Sequence, residues 1–154
     1  MIAIDTSSFI AYLSGSAGPD VEATELALEH RQAVLPPVVL SELLTDPRLR
    51  RDARRLFTGL PMLDLLEGFW ERAGLLRAKL LARGRKVALA DTLIAQACLD
   101  HDTQLVTRDS DFQPFVPCRR PALIRRVTPP LMWSGRGSSH PGAYRRIRLD
   151  PGET

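Results

Sequence analysis

Short apolar runs, each followed by a stretch with helical spacing, constrain this chain more than any other feature. Ile2-Ala3-Ile4, Ala33-Val34-Leu35, Met62–Leu66 and Gln104-Leu105-Val106-Thr107 are too short for helices and largely apolar at successive positions. Strands buried on both faces read this way, and they belong to parallel sheets covered by helices. The stretches between supply the helices. Asp5-Thr6-Ser7-Ser8 offers N-cap residues ahead of Phe9–Leu13. Residues 20–31 follow. Pro36-Pro37 ends the second strand and opens a helix through Val38–Leu44, which Asp46-Pro47 terminates. A basic helix over 48–58 comes next, then one over 69–82 with Phe69, Ala73, Leu76 and Leu80 at helical spacing and Gly84 at its close, then one over 90–100. Ala122-Leu123-Ile124 is a candidate fifth strand. The pattern predicts an α/β fold, a parallel sheet of four or five strands with helices on both faces, that is, an α/β/α sandwich.

These elements place one domain over residues 1–127. From 128 onward Pro, Gly, Ser and Arg dominate without periodicity, so residues 128–154 read as a basic extension, extended or mobile. Charge follows a similar division. Residues 1–118 carry 13 Lys/Arg against 16 Asp/Glu, whereas 119–154 carry 8 Arg against 2 acids, so the net charge of +3 originates in the tail. A near-neutral body with a basic tail suits a polyanionic partner, although a solvated tail that binds nothing has the same composition. No apolar run approaches the roughly 20 residues of a membrane-spanning helix. The first residues lack the basic and apolar regions of a signal peptide, which predicts a cytoplasmic protein with no membrane contact. Cys98 and Cys118 make no disulfide framework, and no Cys/His spacing suits zinc.

The acids are more telling in placement than in number. In a parallel α/β sheet, strand ends and helix starts share one edge, where such folds place their ligands. Asp5 ends the first strand, Glu42 lies in the first turns of the helix after the second, Asp91 opens the helix before the strand at 104–107, and Asp109 lies just past that strand. All four therefore fall on the same edge. Each has a bland alternative: Asp5 as an N-cap, Glu42 on an exposed helix stripe, Asp91 as an acid favoured by the helix dipole, Asp109 and Asp111 as turn residues. Their coincidence on one edge favours a joint role. Crowded carboxylates repel one another unless a cation neutralises them, and oxygen donors without His or Cys suit Mg²⁺ or Mn²⁺. Such an ion activates water and stabilises phosphoryl charge, which points to phosphodiester hydrolysis. A response-regulator-like receiver also gathers acids on a sheet edge. It needs paired acids after strand one and a Lys after the last strand, but Asp5 is followed by Thr6-Ser7-Ser8 and the lysines are Lys79 and Lys86.

At Ile4-Asp5-Thr6-Ser7, Ser41-Glu42-Leu43, Ala90-Asp91-Thr92-Leu93-Ile94-Ala95 and Thr107-Arg108-Asp109-Ser110-Asp111-Phe112, in that order, the chain resembles the PIN-domain nucleases, and among them the VapC-type toxins of toxin–antitoxin pairs. The resemblance covers about residues 1–117. It implies a PIN-like fold and a metal-dependent endoribonuclease with Asp5, Glu42, Asp91 and Asp109 as catalytic and metal-binding acids. It further implies Mg²⁺ or Mn²⁺ as cofactor, and Thr6 and Thr107 as hydroxyls that orient carboxylates. RNA as substrate, a small antitoxin and a homodimer are the implied partners. A housekeeping RNA-processing nuclease and a catalytically silent RNA- or protein-binding module are the alternatives. Candidate RNA-binding residues are Arg108, Arg125, Arg126, Arg145 and Arg146, since guanidinium groups suit phosphates. The chain runs well past the usual end of such domains.

Overall fold

The computed structural model describes residues 1–118. Three strands, β1 (Ile2–Ile4), β2 (Ala33–Val34) and β3 (Gln104–Val106), form a wholly parallel sheet in the order β2-β1-β3. Six helices connect them: α1 (Thr6–Leu13), α2 (Pro19–Glu29), α3 (Pro37–Leu44), α4 (Arg51–Gly59), α5 (Phe69–Ala82) and α6 (Leu89–Asp100); a 3₁₀ helix, Ser110–Cys118, follows β3. The register pairs Ile2 with Ala33 and Gln104, and Ile4 with Val106. β2 and β3 lie on opposite sides of β1, so each parallel connection crosses over through helices: α1–α2 between β1 and β2, and α3–α6 between β2 and β3. The parallel α/β architecture with helices around the sheet is therefore as the alternation predicts.

The run at 62–66 departs from the expected strand. It makes one parallel bridge, Leu35 with Met62, through Leu35 N–H to the Pro61 carbonyl and Leu63 N–H to the Leu35 carbonyl, both 2.9 Å. Only Leu63 is buried; Leu65 and Leu66 face solvent, so nothing holds the run against β2 beyond the first pair. The chain then turns at Gly68, whose left-handed φ of +71° opens α5. The candidate strand at 122–124 and the extension at 128–154 lie outside the described residues.

The core that fixes these elements is apolar throughout. Ile4, Phe9, Leu35, Phe57, Leu80, Ile94, Leu105 and Phe115 are fully buried. Phe9 of α1 meets Phe57 of α4 edge to face, ring centres 5.1 Å apart. Phe112 and Phe115 seat the 3₁₀ helix in the same core, where it packs against α6. No helix among the described residues is long and apolar enough to cross a membrane.

Candidate active site

The register of β1 and β3 builds the site. Ile4 and Val106 are paired, so the next residues, Asp5 and Thr107, emerge side by side at the carboxyl edge. The Asp5 N–H extends the ladder by one bond to the Val106 carbonyl, 2.9 Å. The Asp5 side chain also caps α1, its Oδ2 accepting from Ser7 N at 3.3 Å and Ser7 Oγ at 2.6 Å. Thr107 Oγ1 donates to the same oxygen at 3.0 Å and accepts from Asp109 N–H at 3.0 Å. Asp5 and Thr107 are buried, and that one hydroxyl fixes the buried carboxylate and the start of the next loop together.

One helix start supplies another acid, Asp91; Glu42, expected in the first turns of its helix, lies instead in the second half of the short α3, and Asp109 in the loop after β3. Asp91 lies in the first turn of α6, and Glu42 in α3, which packs against both α1 and α6. Thr6 Oγ1, in the first turn of α1, donates to Glu42 Oε2. Asp109 is exposed just beyond β3, and its Oδ1 accepts from Asp111 N–H at 2.8 Å. The Asp91 carboxyl registers the whole group. Its pKa is pushed from 3.8 to about 6, first by burial and then by the charges of Asp109, Asp5, Asp111 and Glu42. The fold thus brings all four expected acids within electrostatic reach of one another, with Asp111 as a fifth. Among the described residues, no three His, Cys, Asp or Glu side chains stand so placed that they could hold a metal ion. The donor set itself, carboxylates and hydroxyls with no nitrogen or sulfur, matches a hard divalent ion.

Two further residues stand out. The Asp-Thr-Ser motif reads as a helix cap, and Ser7 serves as one, but its hydroxyl also binds the buried Asp5 carboxylate. Arg108, a candidate RNA contact, instead forks onto Asp20 of α2, with Nε to Oδ2 at 2.9 Å and Nη2 to Oδ1 at 3.2 Å. Burial alone would raise the Asp20 pKa; the hydrogen bonds and charge of Arg108 outweigh it and hold the carboxyl below its usual value. The fork ties the loop after β3 to α2. Gly18 makes room for it, since a Cβ there would stand 2.9 Å from Asp20 Oδ1 and its φ of +150° already disfavours a side chain. Arg125, Arg126, Arg145 and Arg146 lie outside the described residues.

Comparison with known proteins identifies the family. Residues 2–115 match the family model "PIN domain". Ribonuclease VapC11 of Mycobacterium tuberculosis and VapC ribonuclease Mb1587 of Mycobacterium bovis are each 32% identical over 120 residues, covering 73% of this chain and 89% of the relative. Among solved structures, VapBC2 from Rickettsia felis, crystallised with a DNA fragment from its promoter, aligns with a TM-score of 0.61 at 18% identity, over 81% of this chain and 98% of the other. FitAcB from Neisseria gonorrhoeae aligns with a TM-score of 0.60 at 20% identity, over 82% and 97%. At these identities the two structures speak for the fold.

Proposed function

This chain belongs to the PIN-domain family and, within it, to the VapC ribonucleases, and on that premise we propose that it is a Mg²⁺- or Mn²⁺-dependent endoribonuclease, the toxin of a toxin–antitoxin pair, acting in the cytoplasm. The observation that carries the reading is the Asp91 carboxyl, pushed to about 6 by burial and by Asp109, Asp5, Asp111 and Glu42 together. A carboxyl so placed resists ionisation and opposes folding, which is a poor arrangement for stability and a good one for a divalent cation.

Asp5, Glu42, Asp91 and Asp109 would hold the ion. When bound, it supplies an activated water and neutralises charge on the phosphoryl oxygens. The protein's own part is orientation. Ser7 and Thr107 fix one oxygen of Asp5, while Thr6 fixes one oxygen of Glu42. The likeness to the VapBC2 structure supports a small antitoxin as partner. A homodimer is supported by the outward side of α5, where Trp70, Leu75 and Leu81 are 64%, 71% and 46% exposed.

The test is RNA cleavage by the purified chain with Mg²⁺ or Mn²⁺, with excess EDTA, and with Asp5→Asn. Activity is expected only in the wild type with metal, and only the wild type should arrest growth when expressed alone. Cleavage in excess chelator refutes the metal mechanism, and harmless expression of an active enzyme refutes the toxin role.

A further inference from the structure

The acids cannot hold the substrate they act on. A single strand of RNA carries a phosphate charge at every nucleotide, and the edge that meets it is negative. Affinity must come from cations beside that edge. Arg108, the cation next to the acids in sequence, is committed to Asp20.

A different pair of cations stands beside that edge. α5 ends in a Schellman turn: Gly84 N–H donates to the Leu81 carbonyl at 2.9 Å and Arg85 N–H to the Leu80 carbonyl at 3.0 Å, with Gly84 at φ +70°. The turn throws out Arg83, Arg85 and Lys86 in succession, all exposed. Arg77 Nε donates to the Val87 carbonyl at 3.3 Å and pins the far end of the loop to α5. Two residues later α6 begins, with Asp91 in its first turn. α6 leads into β3, so its start lies at the carboxyl edge, and the loop lies there with it. On the other side stands the 3₁₀ helix that follows Asp109. Between loop and 3₁₀ helix is an open cleft of about 400 Å³ lined by Leu80, Arg83, Arg85, Gln113 and Pro114. One wall is the end of α5 and the loop that leads into the helix of Asp91, and the other is the 3₁₀ helix that begins one residue after Asp109. Among the described residues, Arg83, Arg85 and Lys86 have no acidic partner, whereas Arg48, Arg50, Arg72 and Arg108 each have one.

We propose that this cleft binds backbone phosphates of single-stranded RNA adjacent to the cleaved bond, with Arg83 and Arg85 as the phosphate forks, Lys86 as a further charge and Gln113 as a neutral hydrogen-bonding group. The inference rests on the ribonuclease reading. Guanidinium forks match phosphate geometry, and an open cleft lined by two arginines and a glutamine suits a phosphate chain passing through. The flexible stems cost entropy when they close on phosphate, so the site gives affinity and register along the strand rather than base specificity.

The test uses the full chain and a fluorescent single-stranded oligoribonucleotide. Binding is measured by anisotropy in EDTA, where nothing is cut, over a range of salt. Each phosphate contact to a single strand contributes a slope of about 0.7 in log affinity against log salt, so R83A/R85A should flatten the plot by about 1.4. Between about 50 and 200 mM salt the wild type should then lose about sevenfold more affinity than the variant. With metal restored, the variant should show a raised KM and an unchanged kcat on a long oligonucleotide, and wild-type behaviour on a dinucleotide too short to reach the cleft. Equal slopes and affinities for the two proteins overturn the proposal. So does a fall in melting temperature with no change in slope, which assigns the arginines to the C-terminus of α5 alone. A poly-glutamate peptide that binds the wild type more tightly than RNA of equal charge, and loses that binding in R83A/R85A, also overturns it and makes the cleft a protein-docking site. If no RNA is ever cut, the ribonuclease reading fails separately, while the anisotropy still decides the cleft.

Discussion

Replacing Asp91 by Asn should make the metal-free protein more stable, and only above a particular pH. The unfolded carboxyl titrates near its ordinary value, whereas in the folded chain the group holds its proton up to about 6. Between those values the folded state binds more protons than the unfolded one, so stability falls as pH rises, and above about 6 the full penalty of an ionised Asp91 is present. A climb from 3.8 to about 6 corresponds to about 3 kcal/mol at 1.36 kcal/mol per tenfold change in proton affinity. Asp91 is only half-buried, so water screens much of that repulsion, and about 1 kcal/mol is the effect expected. For a chain of this size that is a gain of about 3 °C in melting temperature. The assay is thermal unfolding by circular dichroism in EDTA, wild type against Asp91→Asn, from pH 4 to pH 8. The difference should be close to zero at pH 4, grow through pH 6 and level off. Saturating Mg²⁺ should reverse its sign, because the ion stabilises only a site that retains its charge. A difference that does not vary with pH would show that the acids do not interact, and the case for a shared cation site would go with it.

Arg108→Gln leaves Asp20 buried without its fork and should cost about 1–3 kcal/mol. Because the folded Asp20 pKa is depressed, that contribution is present above the unfolded value of about 4 and is lost as pH falls below it, which urea titrations at neutral and acid pH will read. Thr107→Val keeps the shape but removes the hydroxyl between Asp5 and Asp109 N–H; kcat should drop at least tenfold and stability by about 1–2 kcal/mol, by kinetics and melting. Phe57→Ala empties the edge-to-face contact with Phe9 and should cost about 3–5 kcal/mol in chemical denaturation. Removing residues 128–154 should weaken RNA binding and flatten its salt dependence if the arginines there touch phosphate, and should leave metal binding intact.

The sheet edge was legible because parallel topology alone sends Asp5, Asp91 and Asp109 to one side, whatever the details of packing. Strand length was less legible. Met62–Leu66 has the composition of a strand, but composition does not reveal that only Leu63 finds a buried place and that the neighbouring strand β2 offers pairing for a single residue. Arg108 illustrates a different limit. Its position beside Asp109 suggests a substrate contact, yet the guanidinium is claimed by Asp20, 88 residues away, a pairing no local pattern announces. The hydroxyl of Ser7 was hidden by its ordinary role, since a capping serine and one that also anchors a catalytic carboxylate occupy the same position in the sequence. The cations at 83–86 drew no notice in the sequence, because their meaning depends on the Schellman turn that presents them beside the 3₁₀ helix.

The hydrogen bond between Thr107 and Asp5 joins residues separated by 102 positions. Its consequence lies in time rather than in space. β1 sits in the middle of the sheet and cannot complete its pairing until β3 exists, so a nascent chain lacks the assembled edge until well past its hundredth residue. Contacts this distant in sequence make folding slower and leave no shorter fragment with a working site. For a protein that would cut RNA, synthesis on a messenger is the moment of greatest exposure, and the winding of this fold withholds the assembled edge from the nascent chain until β3 has been made.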